Sequence, residues 1–166
     1  MKALWLTLAG LAGSVLLLWL AGLAGAWRGT PPADLGVMNG RLKPPSLTRN
    51  SVSSQAHLYP DHPQARHAQI DPWPLLVAGD PAASLAQLAQ LLARTPGVRM
   101  VSQRPDYLHA EAETRWMRFV DDLEFWAPAG ATVIEVRSAS RLGREDLGTN
   151  RQRLQALQAA YEGLRP

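Results

Sequence analysis

The chain contains no cysteine. Disulfides, thiol nucleophiles and cysteine-based zinc sites are therefore excluded, although nothing follows about the redox compartment. No run of Lys or Arg stands out beyond the N-terminus. A net charge of +3 and a pI of about 9.8 make the chain mildly basic without the clustered charge that nucleic-acid recognition needs. No nucleic-acid partner is expected. A G-x-S-x-G elbow, a Gly-rich phosphate loop and an H-E-x-x-H motif are all missing, and Ser53 and Ser54 belong to no such arrangement. His57, His62 and His67 recur every five residues in a proline-rich stretch, a spacing that matches no usual ligand pattern. They read as solvated loop side chains. No cofactor, metal site or catalytic residue is assigned.

Charge is also absent from Ala3 to Trp27. As a helix this stretch would span about 36 Å, enough to cross a hydrocarbon core of about 30 Å. Trp5 and Trp27 lie near its ends, as interfacial aromatics do, although Trp19 does not. A cleaved signal peptide is the rival reading, since "LAGLAGA" offers small residues. The apolar run is longer than the core of a signal peptide, which favours an uncleaved anchor. Lys2 and the free amine precede the run and place the N-terminus inside and the domain outside, although Arg28, Arg41 and Lys43 dilute the asymmetry.

What the remainder has in plenty is proline. Residues 28–79 read as a linker and extended N-terminal arm, because prolines at 31, 32, 44, 45, 60, 63, 72 and 74 forbid a continuous helix. Val52 to Ala56 could add an edge strand, and Ile70, Trp73 and Leu75 fall on the edge or surface of the domain. Residues 80–166 read as the core. Asp80 caps a helix with Pro81 at its first position; Leu85, Leu88, Leu91 and Leu92 line it, and Pro96-Gly97 stops it. Four strands follow. Leu108, Ala110, Ala112, Thr114 and Trp116 share one face, and His109, Glu111, Glu113 and Arg115 share the other, expected to be an exposed polar face. Asp121 has the parity of Leu123 and Phe125; Ile134 and Val136 oppose Glu135 and Arg137. A last helix is expected to bury Leu147, Leu154, Leu157, Tyr161 and Leu164. The order predicts an α+β fold: a transmembrane helix, then an antiparallel meander of about four strands with two amphipathic helices on one face, a helix-grip layout being one special case.

Three stretches carry a resemblance: "LGVMNGRLKPPSLTRNSVSSQA", "YLHAEAETRWMRFVDDLEFW" and "VRSASRLGREDLGTNRQRLQAL". On them the chain resembles the domain of unknown function 1499 family across residues 34–161. The resemblance brings no reaction with it. It implies a bacterial envelope protein with an N-terminal anchor or signal; joined to the hydropathy reading, the expectation is a single-pass inner-membrane protein with its soluble domain in the periplasm. Where the family usually has two cysteines this chain has Pro45 and Ser51, so a disulfide or thiol role at that loop does not apply.

Polar chemistry concentrates in "VRSASRLGREDLGTNRQR", where the last strand meets the last helix. One reading is a structural ion-pair network of Asp121, Asp122, Arg137 and Arg141, with Asp146 and Asn150 tying the turn. Another is a ligand site of Arg137, Arg141, Asp146, Asn150 and Arg151, holding an anionic or amphiphilic ligand or a protein partner near a helix N-terminus. A third is an envelope enzyme using Asp121, Asp122 and Arg141, against which adjacent residues of a strand point to opposite faces. A fourth is a structural subunit of a membrane complex. A non-enzymatic, membrane-tethered binding domain is the expectation.

Overall fold

In the computed structural model, which describes residues 1–165, the apolar segment forms α1 (Lys2–Leu23). This one helix is long and apolar enough to span a membrane or to act as a signal sequence. Nearly all of it is exposed, but its last turn is not free, because Gly22 is buried against the domain. Trp27 reaches back to donate its indole N–H to the Leu18 carbonyl at 3.1 Å.

The chain then crosses the domain as an arm carrying a small ribbon, β1 (Val37–Met38) and β2 (Arg41–Leu42), with a tight turn at Asn39-Gly40. β3 (Ser51–Ser53), a 3₁₀ turn at Ala56–Leu58, a single-turn helix α2 (Ala65–Ala68) and β4 (Trp73–Pro74) follow. Next come α3 (Pro81–Arg94), the meander β5 (Val98–Gln103), β6 (Tyr107–Glu113), β7 (Val120–Trp126) and β8 (Val133–Ser140), and α4 (Thr149–Glu162). All pairings among the strands are antiparallel, and the sheet order is β3-β8-β7-β6-β5. β4 shares the outer edge of β8 with β3: Ser51 pairs Ala139 at one end of that edge and Trp73 pairs Ile134 at the other. An edge is where Pro74 is tolerated, since it has no N–H to donate.

The helices form where their signals lie. The Asp80 carboxylate accepts the Ala83 N–H at 2.9 Å, and α3 ends just before Pro96-Gly97. α3 contributes Leu85, Leu88 and Leu92, and α4 contributes Leu154, Leu157 and Tyr161. Both lie on one face of the sheet, against Leu108, Leu123, Phe125, Ile134 and Val136. Trp73 is wedged between Phe125 and Tyr161, with ring centroids 5.2 and 5.8 Å away. Truncating a tryptophan so enclosed costs about 3–5 kcal/mol.

The fold is α+β, with three departures from expectation. Among the described residues there are eight strands instead of about four, because the proline-rich stretch supplies four short ones. Leu147 and Leu164 are exposed, since the first precedes α4 in a left-handed turn at φ +52° and the second lies beyond its end. Much of the expected linker is interior: Leu42, Val52, Ala56, Ala68 and Trp73 are all buried. Proline prevents helix there, but it does not prevent packing.

Candidate functional site

The sheet face turned away from α3 and α4 is polar and yet buried. Strand alternation puts Tyr107, His109 and Glu111 of β6, Asp122 and Glu124 of β7, and Arg137 of β8 on that side. All are buried, beneath an arm that reaches over them from Arg28 to Gly36. The expectation of an exposed polar face for His109, Glu111 and Glu113 is corrected here. His109 and Glu111 are buried and Glu113 is half-buried, because the arm, not water, covers this side.

Register creates a conflict on this face. Glu111 and Asp122 are direct cross-strand partners, and like charges so placed repel. Arg141, just past the end of β8, resolves it. Its guanidinium meets Asp122 through Nε to Oδ2 at 2.9 Å and Nη2 to Oδ1 at 2.7 Å, and meets Glu111 Oε1 at 2.7 Å. Arg99 Nη2 holds the other Glu111 oxygen at 2.7 Å, and Arg28 bridges Glu111 and Glu113. His109 Nε2 lies 2.8 Å from Asp122 Oδ1. An ionised carboxylate only accepts, so Nε2 carries the hydrogen. Burial alone would raise the carboxyl pKa values of Asp122 and Glu111. The hydrogen bonds from Arg141, joined by His109 for Asp122 and Arg99 for Glu111, outweigh it and hold both below the ordinary range. The Asp122 contact in turn drives the Arg141 guanidinium further up.

Beside this triad, Glu124 is fully buried. Tyr107 Oη and the Gly36 N–H both donate to its Oε1 at 2.8 Å, and Arg137 Nη1 donates to Oε2 at 2.9 Å. Burial first, then Glu124, pushes the Tyr107 hydroxyl far up, so it remains a donor. Arg137 Nε is buried and donates to nothing among the described residues.

The strand-to-helix junction is a second network, on the helix side of the sheet. Asp121 forms an ion pair with Arg153, Oδ2 to Nη2 at 2.7 Å. Asn150 is fully buried; its amide oxygen takes the Ser138 hydroxyl, and its Nδ2 donates to Ser140 Oγ at 2.9 Å and Asp146 Oδ2 at 2.7 Å. Asp146 closes the first turn of α4 by accepting the Gly148 N–H at 2.9 Å and the Asn150 N–H at 3.1 Å. Arg151 points elsewhere, donating to the backbone carbonyls of His67 at 2.6 Å and Gln69 at 3.1 Å.

A family model described as a protein of unknown function (DUF1499) matches residues 41–160, well over half of the chain. The chain belongs to the DUF1499 family. No curated protein matches it. No solved structure matches it either. The DUF1499 match runs from β2 into α4 and so takes in both networks except for the arm residues Arg28 and Gly36. At the positions where the family resemblance implies cysteines, Pro45 and Ser51 are buried, and the Ser46 N–H donates to Ser51 Oγ at 2.8 Å. That hydrogen bond closes the loop here.

The residues expected to form one site are therefore divided among three places in this DUF1499 domain. Arg137 and Arg141 lie under the arm, Asp146 and Asn150 at the junction, and Arg151 against α2. Asp122 is brought to Arg141, while Asp121 is not brought to either Arg137 or Arg141. A cleft of about 210 Å3 opens at the junction, lined by Phe119, Asp121, Ser140, Leu142, Asp146 and Leu147 among others. No arginine lines it. Arg151 instead borders a pocket of about 250 Å3 with Gln69, Asp71, Trp73, Gln155 and Gln158. Sequence reading missed Glu124, Tyr107 and Arg153 as network members, and Asn50, whose carbonyl accepts from Asn150 Nδ2 at 3.2 Å and whose Nδ2 donates to the Gly143 carbonyl at 2.7 Å. The parity of Glu124 with Asp122 was legible; the cover over both was not. Among the described residues no cluster of three His, Cys, Asp or Glu could hold a metal.

Proposed function

We propose that this DUF1499 protein is a non-enzymatic domain tethered to the bacterial inner membrane by α1, facing the periplasm, and that it takes an amphiphilic ligand in the junction cleft. The cleft carries the reading: Phe119, Leu142 and Leu147 supply an apolar wall, Asp121, Ser140 and Asp146 a polar one. It opens at the end of the domain where the chain leaves α1, since Gly29 lies directly beside Leu142. Retention of α1 is supported by its docking, because a Cβ on Gly22 would lie 2.7 Å from the Met117 carbonyl oxygen. A catalytic role for the acidic cluster is disfavoured. Asp122 and Glu111 are buried beneath the arm, and their oxygens are engaged by Arg141, Arg99 and His109, which leaves them closed to a substrate.

Arg141 and Arg151 are engaged by internal acceptors, and the cleft wall holds carboxylates. An uncharged or cationic head therefore suits the cleft better than an anionic one. The test uses the full chain in lipid nanodiscs, with an environment-sensitive label on Leu147→Cys, which the absence of native cysteine keeps unique. Octyl probes with glucoside, ammonium or carboxylate heads are titrated in turn. Saturable responses to the first two are expected. A preference for the carboxylate would return the site to the arginines, and no saturable response to any probe would remove ligand binding.

A further inference from the structure

Four of the large apolar side chains that the domain leaves in the open are gathered at one end, although Met38, Leu47, Val101 and Leu164 are exposed as well. Trp116 is 70% exposed, Leu147 86%, Leu142 39% and Phe119 36%. They belong to two turns, the β6–β7 turn and the β8–α4 connection, which border the same cleft through Phe119, Leu142 and Leu147. α1 joins the domain at this end. Met117 packs its carbonyl on Gly22, the Trp27 and Phe119 rings lie 6.2 Å apart, and Gly29 abuts Leu142.

Between α1 and the β6–β7 turn runs a groove of about 550 Å3, lined by Leu8, Leu11, Val15, Trp19, Trp116 and Met117 among other apolar residues. From Leu8 to Trp19 the helix rises roughly 16 Å. If α1 crosses a hydrocarbon core of about 30 Å, that stretch lies inside it. Trp116 and Met117 then sit on the membrane side of Gly22, and whatever fills the groove at that depth is hydrocarbon.

The base of the turn is prepared for such a boundary. In hydrocarbon each unsatisfied backbone group costs several kcal/mol, so the tip, Arg115 to Met117, whose N–H groups donate to nothing among the described residues, keeps its backbone at the hydrated interface and sends only the Trp116 and Met117 side chains inward. At the base the Thr114 N–H donates to the Phe119 carbonyl at 2.9 Å, and the Arg118 N–H to the Thr114 carbonyl at 3.1 Å. The Phe119 N–H donates to Thr114 Oγ1 at 3.0 Å. Charge is kept to the rim. Arg118 pairs with Glu113 at 2.7 Å, and the Arg115 guanidinium lies 5.8 Å from the Trp116 ring centre, so it can extend to lipid phosphates while the ring lies among chains.

We infer that the β6–β7 turn inserts into the leaflet beside α1 and that the groove between them holds a lipid acyl chain. The domain is then fixed to the bilayer at two points and carries its cleft at the membrane surface. This rests on α1 being a retained span, as proposed above, and the experiment separates the two. Full-length protein is reconstituted in phosphatidylethanolamine–phosphatidylglycerol vesicles with a fluorescent label on Trp116→Cys, Leu16→Cys or Ser102→Cys, the last on the exposed β5 strand. Quenching by a nitroxide on the lipid chain is compared with quenching by aqueous iodide. The expected result is lipid-side quenching at Leu16→Cys and Trp116→Cys, severalfold above iodide quenching, with the reverse at Ser102→Cys. Lipid-side quenching at Leu16→Cys with iodide quenching at Trp116→Cys overturns the insertion and leaves the anchor standing. Iodide quenching at both overturns both.

Discussion

The two faces of this sheet are both buried, and they are buried by opposite means. Under α3 and α4 the side chains are Leu108, Leu123, Phe125, Ile134 and Val136, and hydrophobic burial stabilises the layer. Under the arm they are Glu111, Asp122, Glu124, Arg137 and Arg141, and stability depends on every charge keeping its partner. The apolar face tolerates imperfect neighbours. The ionic face does not, because a buried charge without its counterpart is worse than no charge at all. A thin, proline-rich arm can cover the second face because the charges beneath it supply hydrogen bonds that the arm's backbone needs, as Glu124 does for Gly36.

The sharpest break of this comparison is Arg141→Ala. It strands Asp122 and Glu111 together in the interior, a loss of about 3–5 kcal/mol. Leu123→Ala on the other face is expected to cost about 2–5 kcal/mol by opening a cavity. Denaturant unfolding of both variants checks the pair. The discriminating step is rescue. Replacing Glu111, Asp122 and Arg141 together by Leu, Leu and Met should recover most of the Arg141→Ala loss, because an apolar trio avoids the desolvation that the ionic trio must offset. No comparable set of changes restores Leu123→Ala. A triple variant no more stable than Arg141→Ala would mean that the ion pairs contribute more than compensation.

Acid separates the faces without mutation. Asp122 and Glu111 ionise more readily folded than unfolded, so their contribution is complete above the ordinary values of 3.8 and 4.5. It is lost as pH falls through the lower folded values, since the unfolded chain takes up protons first. Melting temperature should therefore decline below about pH 4.5, and the decline should be shallower in the triple variant. The loss is smaller than that of Arg141→Ala, because protonated carboxyls still hydrogen-bond. Parallel curves for the two proteins would place the acid sensitivity elsewhere, at pairs such as Asp34–Lys43 on the surface.

How legible these faces were follows from the same contrast. Period-two alternation in "YLHAEAE" and "TVIEVRSAS" sorted the residues between faces, but its expected continuation to Thr114 and Trp116 failed, because β6 ends at Glu113 and Trp116 is exposed in the turn that follows; leucine spacing located α3 and most of α4. Alternation says which side chains share a side; it does not say what lies on top. Apolar residues imply a cover. Charged residues imply water unless a partner is known, and the partners Arg28, Arg99 and Gly36 come from distant positions. The junction was legible in part, because Asp146 and Asn150 are local to their helix, whereas Arg151 reaches carbonyls more than eighty residues back in the chain.

The smallest effect tests how tightly the arm is held where the two faces meet α1. Gly29 adopts φ +64°, and a Cβ there would lie 2.8 Å from the Arg141 Cβ and 3.1 Å from Leu142 Cγ. Both neighbours are near their own backbones and cannot swing aside. Gly29→Ala therefore adds a left-handed strain of about 1 kcal/mol to a clash that shifts the arm away from Arg141. The expected global loss is only about 1–2 kcal/mol, below that of Arg141→Ala, because the ion pairs themselves persist. The local readout is larger: amide exchange at Gly36, whose N–H is held by buried Glu124, should speed up while exchange in α3 stays as before. Faster exchange in α3 as well would mean that arm and helices open as one unit, and that the two faces of the sheet are a single interior.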